Sequence, residues 1–255
     1  MPRFKDQAIC IRLIDWSETS QVVALLTEHH GKIRAIAKGA KRTSPSSVQR
    51  YSGGVELLTL GQAVGVIKQS AELANLTEWD LQQSYWHLRG DLDAQRFALY
   101  AADLVNAMLA ERDAHPVVFG TLRDLLAALE EPAKRQAALL CFQWRVLEDC
   151  GYRPELDRDV IGGGGLGAER SFTFDARAGG LTAATGTGTG AVTAETAWKV
   201  RAETVALLRA MANATDDWSA VKSQTLKRAN RLLCVYARAI LDRQLPTMGY
   251  VLGES

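Results

Sequence analysis

A chain of 255 residues, 47% hydrophobic and 23% charged, has the ordinary make-up of a globular protein and room for one large or two small domains. Thirty basic residues face 29 acidic ones, a formal net charge of +1, so an electropositive surface has to come from local concentration of charge. No run of about 18 apolar residues occurs, which excludes a helical membrane span, and the start MPRFKDQAIC lacks the apolar core of a secretory signal, which points to the cytoplasm.

The first 78 residues read as strands. Ile9, Ile11 and Leu13 alternate with Cys10 and Arg12, the period of a strand with one buried face. A polar break, Asp15-Trp16-Ser17-Glu18-Thr19, separates this strand from the Val- and Leu-rich stretch Gln21 to Thr27. His29-His30-Gly31 marks a turn and is not read as a metal site. From Lys32 to Lys38 the alternation returns, with Ile33, Ala35 and Ala37 on one face. A polar loop containing Pro45 follows. Two more strands are expected at Gly54 to Leu60 and Ala63 to Leu73, joined near Gly61-Gln62. Five short strands with glycine-marked turns point to a small closed barrel, of which the OB-fold is the commonest five-stranded type; an SH3-like barrel is the alternative from pattern alone.

Between Gly31 and Arg50 stand six cations, Lys32, Arg34, Lys38, Lys41, Arg42 and Arg50, and no acid. Phosphate binding needs several ammonium or guanidinium groups along one surface without carboxylates to neutralise them. These six are the candidate polyanion contacts, with a plain solvated loop as the bland alternative. Trp16 and Tyr51 are candidate stacking platforms for bases, against the competing role of barrel-core packing.

From Thr77 the period changes to that of helices. Thr77 is placed to cap one, with Glu78 and Asp80 in its first turn. Phe97, Tyr100, Ala101, Leu104, Val105 and Met108 define a helix over Asp93 to Arg112. Pro116 opens another to about Glu130, and Pro132 opens a third, closed by Gly151. Two further helices are expected at about Ala194–Ala212 and Ser219–Gln244. The fold class is therefore α+β: an N-terminal barrel over 1–78, then a helical domain over 79–255. Within the latter, 155–190 breaks the pattern. It holds 10 of the 21 glycines, including Gly162 to Gly165 and the series Gly186, Gly188, Gly190. Such density cannot bury a core, so a lone hairpin around Ser171–Phe174 and Gly179-Gly180 is expected in an otherwise mobile insertion.

A catalytic constellation is not visible. None of the four histidines sits in an HExxH motif or beside a GxSxG nucleophile, and the glycine tract lacks the Lys-Ser/Thr of a P-loop. The acids Glu130-Glu131 and Asp216-Asp217 fall at helix ends or in loops. Cys10, Cys141, Cys150 and Cys234 show no CxxC spacing and read as reduced thiols packed in the interior. No catalytic residue, metal or cofactor is assigned. The last long helix carries a second basic surface, Lys222, Lys227, Arg228, Arg231, Arg238 and Arg243. Lys227, Arg231 and Arg238 share one face, opposite Leu226, Leu233 and Ala237.

Three stretches carry a family resemblance. Asp15 to Val23, then Leu26-Thr27, Gly31, and Ala37-Lys38-Gly39-Ala40-Lys41-Arg42 form the first. Cys141 to Gly151-Tyr152-Arg153-Pro154 is the second, and Arg231-Leu232-Leu233 to Leu245 the third. In order and spacing they resemble the RecO family of bacterial recombination mediators, over most of the chain. The resemblance implies an OB-fold followed by a helical domain and a cytoplasmic, nucleoid-associated protein. It implies binding of single- and double-stranded DNA, strand annealing and help in loading recombinase. The implied partners are RecR and the acidic C-terminal tail of the single-stranded-DNA-binding protein. An acidic tail ending in a bulky apolar residue needs a greasy pocket rimmed by cations, for which Lys134, Arg135 and Arg145 near Phe142, or Arg228 and Arg231, are candidates. Many members of that family carry a zinc module as two CxxC pairs. The matching places here are Asp159 and Gly162, then Ala183 and Gly186, none of which supplies a thiolate. The rival class is an OB-fold RNA-binding or ribosome-associated adaptor, since RNA exposes the same phosphates.

Overall fold

The structure is a computed structural model that describes residues 3–67, 71–167, 170–183, 196–212 and 221–253. It divides into two compact units, Met1–Arg135 and Gln136–Ser255. The Gly186, Gly188, Gly190 series and Asp216-Asp217 lie outside the described residues.

In the first unit β1 (Arg3–Asp15), β2 (Gln21–Thr27), β3 (Gly31–Ala37), β4 (Leu60–Val66) and β5 (Ala74–Gln83) close a barrel in the order β1-β2-β3-β5-β4. Neighbours are antiparallel except β3 and β5, which run parallel from Ala35 beside Ala74. That crossover order is OB-fold-like and decides against the SH3-like alternative. Phe4, Val23, Leu25, Ile33, Leu76 and Trp79 belong to the buried cluster inside the barrel. Every residue of β2 is buried, because α4 (Pro116–Ala128) packs against it.

Three local expectations are corrected. The polar loop after β3 contains a helix, α1 (Pro45–Tyr51), with Pro45 in its first turn. The strands expected at Gly54–Leu60 and Ala63–Leu73 are instead β4 and β5, shifted along the chain. Thr77 caps no helix but lies inside β5, its hydroxyl donating to the Val64 carbonyl at 3.0 Å. The cause is a bulge: Val64 pairs Glu78 and Gly65 pairs Leu76, leaving Thr77 as the extra residue. It sets buried Leu76 and Trp79 three apart, a helical spacing within a strand. The barrel's last strand thus runs past residue 78.

After α2 (His87–Gly90), α3 (Leu92–Met108) is capped by Asp91, whose carboxylate accepts from Ala94 N at 3.0 Å. The same carboxylate receives a two-pronged bond from Arg135, at 3.1 and 2.8 Å, and Arg135 Nε donates to the Leu129 carbonyl at 2.7 Å.

The second unit is built on α5 (Arg135–Asp149), which ends as the sequence predicts. Gly151, at φ +80°, donates to the Glu148 carbonyl, and Tyr152 N donates to the Leu147 carbonyl at 2.7 Å, a Schellman closure. The hairpin expected in the glycine-rich stretch is present as β6 (Ser171–Asp175) and β7 (Gly180–Thr182). A third strand, β8 (Ala197–Arg201), joins it in the order β7-β6-β8, where helix was expected; α6 (Ala202–Ala212) starts only after it. The reason is tertiary: Val200 and Trp198 lie opposite Phe172 and Phe174 of β6. Phe174 in turn stacks on Trp198 and meets the Tyr236 ring edge-on at 5.1 Å, anchoring the sheet to α7 (Ser223–Leu241); a short α8 (Met248–Leu252) follows. Among the described residues no helix is long and apolar enough to cross a membrane.

Buried Asn230 holds α7 to α5. Its amide donates to the Gln136 carbonyl and side chain, both at 2.9 Å, and its oxygen accepts from Gln143 Nε2 at 2.7 Å. Asn230→Ala is expected to cost about 2 kcal/mol, measured as a lower urea midpoint at an unchanged m-value.

Candidate nucleic-acid interface

The outward face of β1–β2–β3 collects cations through strand register. Arg12 pairs Ala24, and Ala24 pairs Arg34, so the two guanidinium side chains flank a small residue on one face. Along β3 the same alternation carries on from Arg34 through Ile36 to Lys38. Arg12, Ile14, Val22, Lys32 and Arg34 line a groove of about 330 Å³, with Asn106 and Glu111 on its far wall. Sequence reading missed Arg12, because only the register places it beside Arg34.

The six predicted cations are not equivalent. Lys32 is buried, and its ammonium donates to the Asn106 carbonyl at 2.6 Å; burial lowers its pKa. It fastens β3 to α3 through that bond. Arg34 lies 3.6 Å from Glu111, and Lys41 3.2 Å from Asp15, both pairs exposed and so weak. Lys38, Arg42 and Arg50 are exposed, with no acidic partner among the described residues. Arg50 lies over the Tyr51 ring, 5.6 Å from its centre.

The loop after β3 is tied to the β1–β2 turn. Lys41 N donates to the Thr19 carbonyl at 3.1 Å, and Gly39 N to the Ser20 hydroxyl at 3.3 Å. Trp16, 65% exposed, stands in that same turn. An exposed aromatic face in the turn to which a basic loop is tied is the composition that single-stranded nucleic acid needs. Tyr51 has no such role: it is 2% exposed, and its hydroxyl bonds the carbonyls of Leu76 at 3.0 Å and Lys38 at 3.3 Å.

The candidate acidic-peptide residues separate as clearly. Lys134 is held by Glu131 at 2.6 Å, Arg145 by Glu148 at 2.7 Å, and Arg135 by Asp91; Phe142 is fully buried. Arg228 and Arg231 do line one cavity, of about 400 Å³, with Trp198, Lys199, Arg201 and Leu232 around them. Glu203 approaches Arg228 to 3.7 Å.

Zinc does not fit the places that the resemblance implies. Gly162 and Ala183 bring no ligand atom, and Gly186 lies outside the described residues. The Asp159 carboxylate, the one ligand group those places offer among the described residues, accepts from the backbone N–H groups of Ile161 and Gly162, both at 2.9 Å, and Ala183 at 3.1 Å. Asp159 thus joins the 159–162 loop to the end of β7, beside Val160 N, which donates to the Leu181 carbonyl at 3.0 Å. The bonds to the Asp159 carboxylate, Gly162's first, lower its pKa from 3.8 to about 2. A depressed carboxyl stabilises the fold above its unfolded pKa and loses that effect as pH falls towards the folded value. Asp159→Asn is therefore expected to lower the melting temperature at neutral pH, the gap from wild type closing between about pH 4 and pH 2. Cys10 and Cys234 are buried, and Cys141 and Cys150 half-buried, a departure from the all-interior reading. Burial pushes the Cys10 pKa up to about 12.

Fold and surface together define a small-barrel protein of OB type with a helical second unit. The Recombination protein O N-terminal family profile matches residues 1–85, and the Recombination protein O C-terminal profile matches residues 89–248. The chain belongs to the recombination protein O (RecO) family. Its curated relatives include proteins named DNA repair protein RecO. That of Anaeromyxobacter dehalogenans is 33% identical over 180 residues, 71% of this chain and 69% of its own length. That of Myxococcus xanthus is 28% identical over 172 residues, 68% of each. That of Halalkalibacterium halodurans is 30% identical over 156 residues, 61% of this chain and 59% of its own.

Proposed function

We propose that this chain acts in DNA repair and recombination as a non-enzymatic protein. It binds single- and double-stranded DNA by charge, anneals complementary strands, and assists recombinase loading on DNA covered by single-stranded-DNA-binding protein. The observation that carries the reading is the β1–β2–β3 face with its adjoining loop: Arg12, Arg34, Lys38, Lys41 and Arg42 beside exposed Trp16. Annealing requires screening of two phosphate backbones without reading bases, which dispersed cations supply.

The test is annealing of complementary DNA oligonucleotides at several salt concentrations, with and without the single-stranded-DNA-binding protein. Absence of acceleration by the protein at any salt would sink the reading. Trp16→Ala is expected to weaken single-strand binding about tenfold while leaving the salt slope unchanged; equal affinity removes Trp16 from the interface. Competition with matched RNA separates the alternative, an RNA-binding or ribosome-associated adaptor, because only the 2′-hydroxyl distinguishes the strands.

The second unit supplies the protein contact in this reading. The Arg228–Arg231 cavity, apolar at Leu232 and Trp198 and cationic at its rim, suits an acidic tail ending in an apolar residue, and RecR is the further partner. Arg228→Ala with Arg231→Ala is expected to weaken a labelled acidic peptide of that kind at least about tenfold; equal affinity moves the tail elsewhere.

A further inference from the structure

The far end of the β2–β3 hairpin holds a side-chain cluster that nucleic-acid binding does not use. Asp6 of β1 has its side chain 3% exposed. Its oxygens accept from the backbone N–H groups of Gln7 at 2.9 Å and His29 at 2.8 Å. They also meet both imidazoles, His29 Nδ1 at 3.0 Å from Oδ1 and His30 Nδ1 at 2.7 Å from Oδ2. Glu28 brings Oε2 to 3.9 Å from His29 Nδ1, and one ligand atom from each of Asp6, Glu28 and His29 lies within 4.8 Å of the others.

The spacing suits a metal. A tetrahedral ion with bonds of about 2.1 Å sets its ligand atoms about 3.4 Å apart; His29 Nδ1 lies 3.0 Å from Asp6 Oδ1 and 3.9 Å from Glu28 Oε2, so an ion would take the place of the hydrogen that His29 Nδ1 now shares with Asp6. The backbone beneath is fixed. Thr27 Oγ1 donates to the Gly31 carbonyl at 2.8 Å and accepts from His30 N at 3.1 Å, while Glu28 N donates to the Gln7 carbonyl at 3.0 Å. Such support orients ligands before an ion arrives. The His29 side chain is 68% exposed, so one side stays open to solvent for entry and for a water ligand.

We propose that Asp6, Glu28 and His29 bind a divalent transition-metal ion of the zinc class, with His30 holding the second Asp6 oxygen in place. One imidazole with two carboxylates favours Zn²⁺, Co²⁺ or Ni²⁺ over Mg²⁺ or Ca²⁺. The ion pins the β2–β3 turn to β1 and raises stability by mass action. The pairing was hidden in the sequence because Asp6 stands on a different strand from the His29-His30 turn.

The experiment titrates Zn²⁺ into chelator-treated full-length protein by calorimetry, with a parallel melt and a Co²⁺ absorption spectrum. Wild type is compared with Glu28→Gln and His29→Gln, whose side chains are exposed enough to be replaced without loss of fold. Asp6→Asn is left aside, because its backbone bonds make it a folding residue. Expected are one ion per chain, a raised melting temperature, binding weakened about tenfold or more in each variant, no comparable response to Mg²⁺, and a cobalt spectrum without a thiolate charge-transfer band. Absence of saturable binding, unchanged affinity in both variants, equal binding of Mg²⁺, or a thiolate band that assigns the ion to cysteine would each overturn the proposal.

Discussion

Alanine in place of Gly31 is expected to lower the free energy of unfolding by about 3 kcal/mol or more, from left-handed strain and overlap together. Gly31 starts β3 at φ +70°, a conformation that costs any residue with a Cβ. Added to this, the new methyl would meet the backbone of Asp113, whose nitrogen would lie 2.6 Å away. A main-chain segment cannot rotate aside as a side chain does. Relief would part β3 from the 111–113 segment, where Arg112 N donates to the Lys32 carbonyl at 2.9 Å. The measurement is urea unfolding of wild type and variant, with Gly151→Ala as the control. Gly151 also has positive φ, at +80°, but nothing lies within 4 Å of its Cβ position. The control should lose only about 1 kcal/mol, from conformation alone. Equal losses in the two variants would show that the Asp113 approach carries no energy.

The barrel was legible where the chain alternates, in β1 and β3, or runs apolar, in β2, which is buried throughout. β1 to β3 follow from Ile9 to Leu13, Gln21 to Thr27 and Lys32 to Lys38, because one face of each fills the interior. Legibility ended where tertiary structure overrides the local period. The Thr77 bulge moved Trp79 to a helical distance from Leu76, and Trp198 to Val200 became a strand only through pairing with Phe172 and Phe174. Helix α1 hid in a polar loop, because its hold comes from distant groups. Ser47 donates to the Gly39 carbonyl, and Tyr51 to that of Leu76. The candidate interface divides the same way. Its basic run is visible in sequence, since Gly31 to Arg50 holds no acid. The acids that face it are Asp15, at the end of β1, and Glu111, about 80 positions on; only the fold brings them within 4 Å. The place of Arg12 beside Arg34, and the bond of Lys32 to the Asn106 carbonyl, are equally non-local.

Reversing Lys38, Lys41 and Arg42 together to glutamate is expected to flatten the log-affinity against log-salt slope on single strands by about 2, at about 0.7 for each phosphate no longer neutralised. At about 50 mM salt the triple reversal should weaken binding at least about a hundredfold, since counterion release is worth most when salt is low. The fold should be indifferent: all three side chains are exposed, and among the described residues their one ion pair is Lys41–Asp15, at 3.2 Å. A solvated loop with no ligand would show neither effect. Asp15→Asn and Glu111→Gln turn the same electrostatics round. Each removes the acid beside a candidate phosphate-binding cation, Lys41 and Arg34 respectively, so both should tighten DNA binding and steepen the slope. Loss of a surface ion pair costs stability by no more than about 1 kcal/mol, so the rise in affinity is readable on folded protein. Opposite signs from the two sets of variants, measured by fluorescence anisotropy across a salt series, identify this face as the phosphate surface. If removal of Asp15 or Glu111 leaves affinity where it was while the triple reversal weakens it, the DNA-binding surface is confined to Lys38 and Arg42. Equal slopes in every variant place the DNA on some other part of the molecule.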